Sequence, residues 1–397
     1  MSIDSSKILN SDHLPGPLRG VRVIDLSRLG PGPFASQILS DFGAEVVTVD
    51  APRQPELDAS NLYNRGKRSL LIDIRHPEGA EVVTQLVEKA DVFLESARPG
   101  AMERRGLGPD TLLERNPRLV YTRLTGYGQY GPYAQRAGHD INYIAIGGAL
   151  GVIGTSDEPV PALNLLGDFA SGSLNAVFGT VLALLERSRT GRGQVVDAAM
   201  VDAAAMLISA QMGELQRPTW QGWHGRGNDV LSGIAPFYGV YQCSDGRWFA
   251  VGAIEQAFYR QFLSTLELDD VDADSQYERA TWPALRERVA RAFQTRPRDE
   301  WARLFSAVDG CGTPVLDLGE LPDDPHLRAR GTFLHVDGVQ EIAPAPRLSV
   351  SPGTVRGREP GRGRHSRQVL SEAGFGEAQI NDLIARGIVG SDVTIDD

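Results

Sequence analysis

A histidine and two aspartates are the residues whose types and spacing could transfer a proton. His139 and Asp140 are adjacent, and Asp168 follows 29 residues after His139. Imidazole titrates near neutral pH, so a histidine and a carboxylate on opposite faces of one carbon could remove and return a proton. Spacing alone does not establish this chemistry, because a buried histidine bonded to its neighbour is the commoner arrangement.

Asp168 stands at the start of a stretch rich in Ala, Leu, Val, Gly and Ser, which predicts a helix over Asp168–Glu186. Helix N-termini favour carboxylates and bind anions, because their first N–H groups lack intrahelical acceptors. The position of Asp168 is therefore compatible with a functional carboxylate, as well as with a simple helix start.

Basic residues concentrate in one region of an otherwise acidic chain, whose net charge is −11. They are Arg65, Lys67, Arg68, Arg75, Arg98, Arg104 and Arg105. Arginine makes bidentate contacts with phosphate, so the cluster could bind a phosphate-bearing ligand; a solvated charged face explains it equally well. The net negative charge disfavours nucleic acid and anionic membranes as partners.

A glycine- and proline-rich turn invites comparison with a dinucleotide site. Gly30-Pro31-Gly32-Pro33 follows the first predicted strand, and Asp50 comes 20 residues after Gly30. The full Gly-x-Gly-x-x-Gly pattern is absent, and prolines occupy flexible positions of the loop. A tight strand-to-helix turn is therefore the favoured interpretation over a nicotinamide site.

Alternating strands and helices must position these residues. Short β-branched runs predict strands over Val21–Leu26, Glu45–Asp50, Ser69–Ile74, Asp91–Glu95, Leu119–Leu124 and Gln194–Asp197. Helical patterns follow the first strand (Phe34–Phe42), the third strand (Pro77–Ala90) and the fourth strand (Thr111–Asn116). This alternation predicts a doubly wound α/β domain with a parallel sheet.

The second half of the chain predicts a smaller α+β domain. Tyr238–Gln242 and Trp248–Val251 flank Ser244-Asp245-Gly246, which is a hairpin signal. We expect a large domain over 1–215 and 340–397, a linker over 216–233 and a small domain over 234–339.

Composition excludes several classes of protein. Of 397 residues, 41% are hydrophobic and 23% charged, which is typical of a globular chain. Cys243 and Cys311 lack metal-ligand spacing and are expected to be core thiols. No apolar run suggests a membrane span, and the polar N-terminus does not suggest a signal peptide, so a cytoplasmic location is expected.

Several long motifs, in order, resemble the class III CoA-transferase and α-methylacyl-CoA racemase superfamily. They are GVRVIDLSRLGPGPFASQILSDFGAEVVTVD from Gly20, NRGKRSLLIDIR from Asn64, ARPGAMERRGLG from Ala97, RLTGYGQYGPYAQRAGHDINY from Arg123, NLLGDFASGS from Asn164, and RTGRGQVVDAAMVDA from Arg189. The resemblance implies a Rossmann-like large domain, a small α+β domain and an interlocked homodimer.

The resemblance also implies the chemistry. The presence of both GHDINY and NLLGDF is similar to the racemase branch, in which His139 and Asp168 would exchange the α-proton of a 2-methylacyl-CoA, assisted by Asp140 and Glu255. The enolate would be stabilised by backbone N–H groups such as that of Asp140. CoA is then part of the substrate, and neither a cofactor nor a metal is expected.

Residues predicted to contact CoA follow from the same resemblance: Arg65, Lys67, Arg68, Ile74, Arg75, Arg98, Arg104, Gly126 and Tyr127. Thr48 departs from the family pattern, because a basic residue that often contacts the CoA phosphates usually stands there. Arg53 is a candidate replacement. Ala97 is also smaller than usual.

Three other functions are weighed against epimerisation. A CoA-transferase would use Asp168 as a nucleophile and would not require His139. A non-catalytic CoA-thioester-binding protein would not need the His–Asp constellation, and a nicotinamide dehydrogenase would need the missing glycine motif. The sequence does not specify the acyl group.

Overall fold

The computed structural model describes residues 16–28, 30–52, 63–217 and 224–390 of the chain. Its strands are β1 (Arg22–Asp25), β2 (Glu45–Asp50), β3 (Arg68–Ile72), β4 (Val92–Glu95), β5 (Val120–Thr125), β6 (Val195–Ala199), β7 (Tyr238–Gln242), β8 (Trp248–Gly252), β9 (Gly312–Pro314), β10 (Phe333–Val336), β11 (Val339–Ile342) and β12 (Val389–Gly390).

The α-helices of the described residues are α1 (Pro31–Asp41), α2 (Pro77–Val87), α3 (Pro109–Arg115), α4 (Asp140–Ile146), α5 (Ala149–Val152), α6 (Asn175–Thr190), α7 (Met200–Leu207), α8 (Ser209–Gln216), α9 (Gln256–Thr265), α10 (Trp282–Phe293), α11 (Arg298–Phe305), α12 (Pro325–Ala329), α13 (Ser366–Ala373) and α14 (Glu377–Ala385). A π-helix, Leu165–Leu174, runs directly into α6.

The chain forms two compact units. The first comprises Met1–Gly147, Ala162–Leu207 and Gly331–Asp397, and the second comprises Gly148–Pro161 and Ile208–Arg330. The second unit thus includes Gly148–Pro161, which the sequence analysis placed in the large domain. Within the expected linker, residues 218–223 lie outside the described part of the chain, and Val230–Ser232 forms a 3₁₀ turn.

A seven-stranded sheet organises the first unit, in the order β12-β3-β2-β1-β4-β5-β6. Neighbouring strands from β3 to β6 pair in parallel, and only β12 joins antiparallel, at the β3 edge. Strands β1 to β5 are buried along almost their whole length, as expected where helices cover both faces of a parallel sheet. The predicted α/β fold class is confirmed.

The second unit has a separate core. Strands β7, β8 and β9 form an antiparallel sheet, whose buried faces pack with aromatic side chains from α9, α10 and α11. Phe237, Phe249 and Phe293 are completely buried there. Cys243 is buried, but Cys311 is exposed, so the expectation of two core thiols is wrong for Cys311.

The segment Leu165–Thr190 corrects an expectation about membrane spans. By length and composition, this 26-residue helical segment could span a membrane. Its most apolar 18 residues have a mean hydropathy of 1.4, and 33% of that stretch is buried. In the first unit, α6 packs against β5, β6 and α1, and a core helix has the same composition. The length and composition of this segment are therefore weak evidence for a membrane span.

Candidate active site

Asp168 lies in the first turn of the π-helix Leu165–Leu174. The prediction that this residue precedes or begins a helix is wrong by three positions, because the helix begins at Leu165, and its geometry is π rather than α. Short π segments occur frequently at functional sites, because the wider turn re-aims side chains. Ser173 donates to the carbonyl of Pro31 at 2.7 Å, which ties this helix to the start of α1.

Asp140 holds the backbone at Asp168. Its Oδ2 atom accepts the N–H of Asp168 at 2.7 Å, while its Oδ1 atom is buried without a hydrogen-bond partner among the described residues. Gly167 permits this approach, since a Cβ there would lie 2.7 Å from the Asp140 carboxylate. A buried carboxylate oxygen with no partner is costly and is typical of a site that awaits a ligand or a proton.

The electrostatics of Asp168 follow from its neighbours. Burial raises the pKa of its carboxyl, and the charge of Asp140 raises it further. A hydrogen bond with Asn164 and the charge of His139 act in the opposite direction. The structure thus brings His139, Asp140 and Asp168 into one electrostatic unit, with the pKa of Asp168 above its usual range.

His139 is exposed and immediately precedes α4. Its backbone N–H donates to the side chain of Asn142 at 3.1 Å, which fixes the entry into the helix. Asp140 is the first residue of α4, where backbone N–H groups point away from the helix without intrahelical acceptors. An exposed imidazole beside a half-buried carboxylate can exchange protons with a substrate placed between them.

Tyr143 lies close enough to Asp168 and Arg98 for both charges to act on its hydroxyl. Its hydroxyl donates to the carbonyl of Gly138, and its ring meets that of Tyr127 edge-on at 5.0 Å. Burial raises the pKa of Tyr143 to about 12; the charge of Asp168 adds to this and that of Arg98 opposes it. Gly126 is required here, because a Cβ would lie 2.0 Å from the Tyr143 ring.

A second aromatic group flanks Asp168. The rings of Phe34, Tyr63 and Phe169 contact one another with centroids 5.2 to 5.8 Å apart. Burial, followed by the charge of Asp168, raises the pKa of Tyr63. Apolar rings beside the carboxylate lower the local dielectric and strengthen charge interactions in the site.

Several of the predicted CoA-contacting cations are already bound to acidic partners. Arg65 is buried and bonds Asp41 and Glu341, each at 2.7 Å. Arg68 pairs with Glu45 and Glu372. These guanidinium groups have little capacity left for a phosphate.

Arg75 is exposed but forms a bidentate pair with Asp73, at 2.8 and 2.9 Å. Ile74, before it, is buried in the core of the first unit. Both residues follow β3, at the same edge of the sheet as the other strand ends. Their predicted contact with CoA stays a prediction.

Lys67 is completely buried. Its ammonium donates to the carbonyl of Pro33 at 2.9 Å, to Ser36 at 2.7 Å and to Asn64 at 2.9 Å, and it lies 3.6 Å from Asp25. Burial lowers its pKa to about 8. All three N–H groups of the Lys67 ammonium donate within the protein, so Lys67 stabilises the start of α1.

Arg98 and Arg104 differ from that set. Both are exposed, and neither guanidinium has an acidic, carbonyl or aromatic partner within the described ranges. They follow β4, and the strand order reverses direction between β1 and β4. In open α/β sheets, ligands bind in the crevice at that point, beyond the carboxyl ends of the strands.

Asp50 is not available as a ribose ligand. It is buried and accepts a hydrogen bond from Ser69 at 2.6 Å. Pro31 and Pro33 belong to the first turn of α1, where proline is favoured, so the glycine–proline sequence serves as a strand-to-helix turn. Arg53, the candidate replacement for a basic residue at Thr48, lies outside the described residues.

Glu255 belongs to the second unit, where it immediately precedes α9 and is exposed. Its proposed assistance to the proton transfer stays a prediction. Sequence reasoning missed the flanking residues Tyr63, Tyr143 and Asn164. Tyr143 and Asn164 stand inside quoted motifs, but nothing in their spacing shows that they approach Asp168.

Comparison with known proteins defines the class. The family model for CoA-transferase family III matches residues 18–366, and the chain therefore belongs to that family. The predicted family resemblance is confirmed.

Two mammalian relatives refine this class. The chain is 44% identical over 379 residues to the mouse protein named alpha-methylacyl-CoA racemase, and 42% identical over 378 residues to the human protein of that name. Each match covers 94% of this chain and 98% of the relative. A Chloroflexus aurantiacus protein, succinyl-CoA–D-citramalate CoA-transferase, is 31% identical over 96% of this chain and its whole length.

Solved structures agree with the fold. A CaiB/BaiF family protein from Brucella suis superposes with a TM-score of 0.75 at 29% identity, covering 90% of this chain and 100% of that one. Rv3272 from Mycobacterium tuberculosis superposes with a TM-score of 0.73 at 27% identity, covering 89% and 99%.

Proposed function

We propose that this protein is an isomerase that epimerises the C2 centre of 2-methylacyl-CoA thioesters. The observation that carries the proposal is the constellation of His139, Asp140 and Asp168, in which the Asp168 carboxylate interacts with both of the other charges. The racemase relatives at 42% and 44% identity support the same reaction.

The reaction requires two acid–base groups and a stabilised enolate. With the substrate α-carbon between them, one of His139 and Asp168 removes the proton, and the other returns a proton to the opposite face. Asp140 fixes the backbone of Asp168, and burial and the charge of Asp140 raise the pKa of Asp168. A carboxyl group with a raised pKa lies closer to the pH at which the enzyme operates, where a general acid or base is most effective.

The thioester oxygen gains negative charge in the enolate. The backbone N–H of Asp140, at the start of α4, is our candidate donor to that oxygen. The aromatic side chains on both sides of Asp168 exclude water, which strengthens such a hydrogen bond.

We assign the phosphates of CoA to Arg98 and Arg104, because these two guanidinium groups are exposed and have no acidic partner in the described chain. Arg98 also acts on the Tyr143 hydroxyl, which in turn interacts with Asp168. A ligand can therefore extend from the phosphate-binding cations to the catalytic carboxylate along one edge of the sheet.

The proposal includes a homodimer. One face of the segment from the π-helix through α6 exposes Leu174, Phe178, Leu182 and Leu185, with relative exposures of 47 to 59%. A continuous apolar face of this kind is typical of a surface that a partner covers. Analytical ultracentrifugation tests the dimer separately from catalysis.

The proposed reaction is tested by following stereochemistry without an acceptor acid. Each pure epimer of a 2-methylacyl-CoA is incubated with the enzyme, and the acids released by hydrolysis are separated on a chiral column. We expect both epimers to reach the same mixture. Unchanged epimers in the presence of folded enzyme would contradict the proposal.

CoA transfer through Asp168 is the second candidate, supported by the family and by the 31% identical transferase. It requires an acyl anhydride on the Asp168 carboxylate, followed by an aspartyl-CoA thioester. Incubation with an acyl-CoA and a carboxylic acid, then peptide mass mapping, would detect a modified Asp168. An adduct together with labelled CoA exchange would favour transfer over epimerisation.

A further inference from the structure

The loop between β4 and α3 carries Arg98 and Arg104, the two predicted CoA-contacting cations that have no acidic partner among the described residues. The loop also contains Gly100 and Gly106, both in the left-handed region at φ 82° and 72°, and glycine restricts the backbone least of all residues. A phosphate site nevertheless needs its cations at defined positions, because affinity depends on preorganised donors. The source of that order lies on the neighbouring strand β5.

Arg123 of β5 holds the N-terminal end of the loop. Its side chain is 7% exposed, and its Nε atom donates to Glu95 Oε1 at 2.9 Å. Glu95 is the last residue of β4 and is completely buried, and its Oε2 atom accepts the backbone N–H of Ala97 at 2.6 Å. The residue immediately before Arg98 is thus bonded to the Arg123–Glu95 pair.

The same guanidinium holds the C-terminal end of the loop. Two terminal nitrogens of Arg123 donate to the two carboxylate oxygens of Glu103, at 2.8 and 3.4 Å. Glu103 begins the 3₁₀ turn Glu103–Arg105, so its partner Arg123 also fixes the backbone that carries Arg104. Burial raises the pKa of the Glu103 carboxyl, but hydrogen bonds, those from Arg123 first among them, keep that pKa below its usual range.

Contacts inside the loop complete the arrangement. The N–H of Ala101 donates to the carbonyl of Arg98 at 3.0 Å, and the N–H of Arg104 to that of Gly100 at 3.2 Å. Gln135 donates to the carbonyl of Pro99 at 3.0 Å. Only a planar guanidinium can donate in one plane to two carboxylates in this way, so lysine is not an equivalent.

We propose that Arg123 is a positioning residue that sets the geometry of Arg98 and Arg104 for the diphosphate of CoA. Arg123 itself touches no ligand and acts through Glu95 and Glu103. The inference rests on the proposed function in so far as that function supplies CoA thioesters as ligands.

The test uses Glu103→Gln in the full-length chain. Removing Arg123 would leave Glu95 buried and unpaired and would risk unfolding, whereas Glu103 is 42% exposed and can lose its charge safely. The matched control is Glu88→Gln, which removes another exposed arginine partner, that of Arg115, on α3. Binding of CoA and of pantetheine, which lacks the diphosphate, is measured by calorimetry.

We expect Glu103→Gln to weaken CoA binding about tenfold, the size of one charge-assisted hydrogen bond. Pantetheine binding should not change, and Glu88→Gln should change neither. In an Arg104→Ala background the Glu103→Gln effect should fall to about twofold or less, because Glu103 acts through the backbone that carries Arg104 and coupled residues are not additive. Arg123→Lys should reproduce the selective loss, since it keeps the charge but not the geometry.

Three results would overturn the proposal: equal losses for CoA and pantetheine, no loss for CoA, or full additivity with Arg104→Ala. The binding measurements need no turnover. If wild-type protein binds CoA but epimerises nothing, the proposed function fails while the positioning role is still tested. If CoA binds and Glu103→Gln has no effect, the positioning role fails by itself.

Discussion

Two charged groups in the first unit have opposite characters. Near the start of α1, the side chains of Lys67 and Asp25 are completely buried. The Lys67 ammonium donates hydrogen bonds to Pro33, Ser36 and Asn64. The Asp25 carboxylate accepts the backbone N–H of Ser27 at 2.8 Å. At the candidate active site, one oxygen of Asp140 has no hydrogen-bond partner among the described residues, and burial together with the charge of Asp140 raises the pKa of Asp168.

The difference separates a structural cluster from a reactive one. When every polar group of a buried network has a hydrogen-bond partner, the network stabilises one arrangement. Its groups are then not available to exchange protons with a ligand. Like charges held together by the fold are costly unless a substrate or a proton relieves them, and such groups concentrate at functional sites. The two clusters should therefore respond differently to the same kind of substitution.

The largest expected effect is on turnover. His139→Ala and Asp168→Asn should each slow α-proton exchange by about 10² to 10⁴, the usual contribution of a general acid or base. His139 is exposed and Asp168 is half-buried, so thermal unfolding should change little. Exchange rates by NMR and melting by circular dichroism measure the two effects. A folded His139→Ala enzyme with wild-type exchange would contradict the assignment.

The satisfied cluster should show the reverse behaviour. Lys67→Met should lower the free energy of unfolding by about 3 to 5 kcal/mol, because it leaves Asp25 as a buried unpaired charge. The double variant with Asp25→Asn should regain much of that loss, since neither charge then remains buried. Urea denaturation of the three variants measures this. Equal stabilities would show that the Lys67–Asp25 pair is not structural.

The pH dependence sharpens the comparison. Asp168 must be ionised to act as a base, and burial and Asp140 raise its pKa, so kcat/KM should fall as pH drops through that raised value. Asp140→Asn keeps an acceptor for the Asp168 N–H but removes the negative charge. The acid limb should then move to lower pH. A limb that stays in place would mean that Asp140 does not tune Asp168.

The smallest effect separates the basic residues. Arg98→Ala should raise KM for the acyl-CoA about tenfold, whereas Arg75→Ala should change it less than about twofold. Both guanidinium groups are exposed, but among the described residues Arg75 has an acidic partner, Asp73, and Arg98 has none. Initial rates over a range of substrate concentrations give both values. Equal effects would indicate that pairing with protein carboxylates does not predict which cations bind CoA.

Much of the first unit could be predicted from sequence. Apolar runs and their turn residues define β1 to β5 within a few positions, because parallel strands buried on both faces have a strong local signal. The two-residue strand β12 has no such signal. It depends on pairing between Val389 and Ile72, far apart in the chain.

The site was predictable in residue type but not in arrangement. The sequence shows eight Lys and Arg residues from Arg65 to Arg105, but it does not show that Glu341 and Glu372 lie against Arg65 and Arg68. It also does not show that Arg123 bonds Glu95 and Glu103, and thereby both ends of the loop that carries Arg98 and Arg104. Side-chain pairing over long separations is set by tertiary packing, which no local pattern encodes.

The most direct test is α-proton exchange in D₂O. One pure epimer of a 2-methylacyl-CoA is incubated with the enzyme and no acceptor acid, and the α-proton signal and the stereochemical purity are followed by NMR and chiral chromatography. Loss of the α-proton together with racemisation is the predicted result. No exchange, followed by CoA transfer once a carboxylic acid is added, would contradict the account and assign Asp168 as a nucleophile instead.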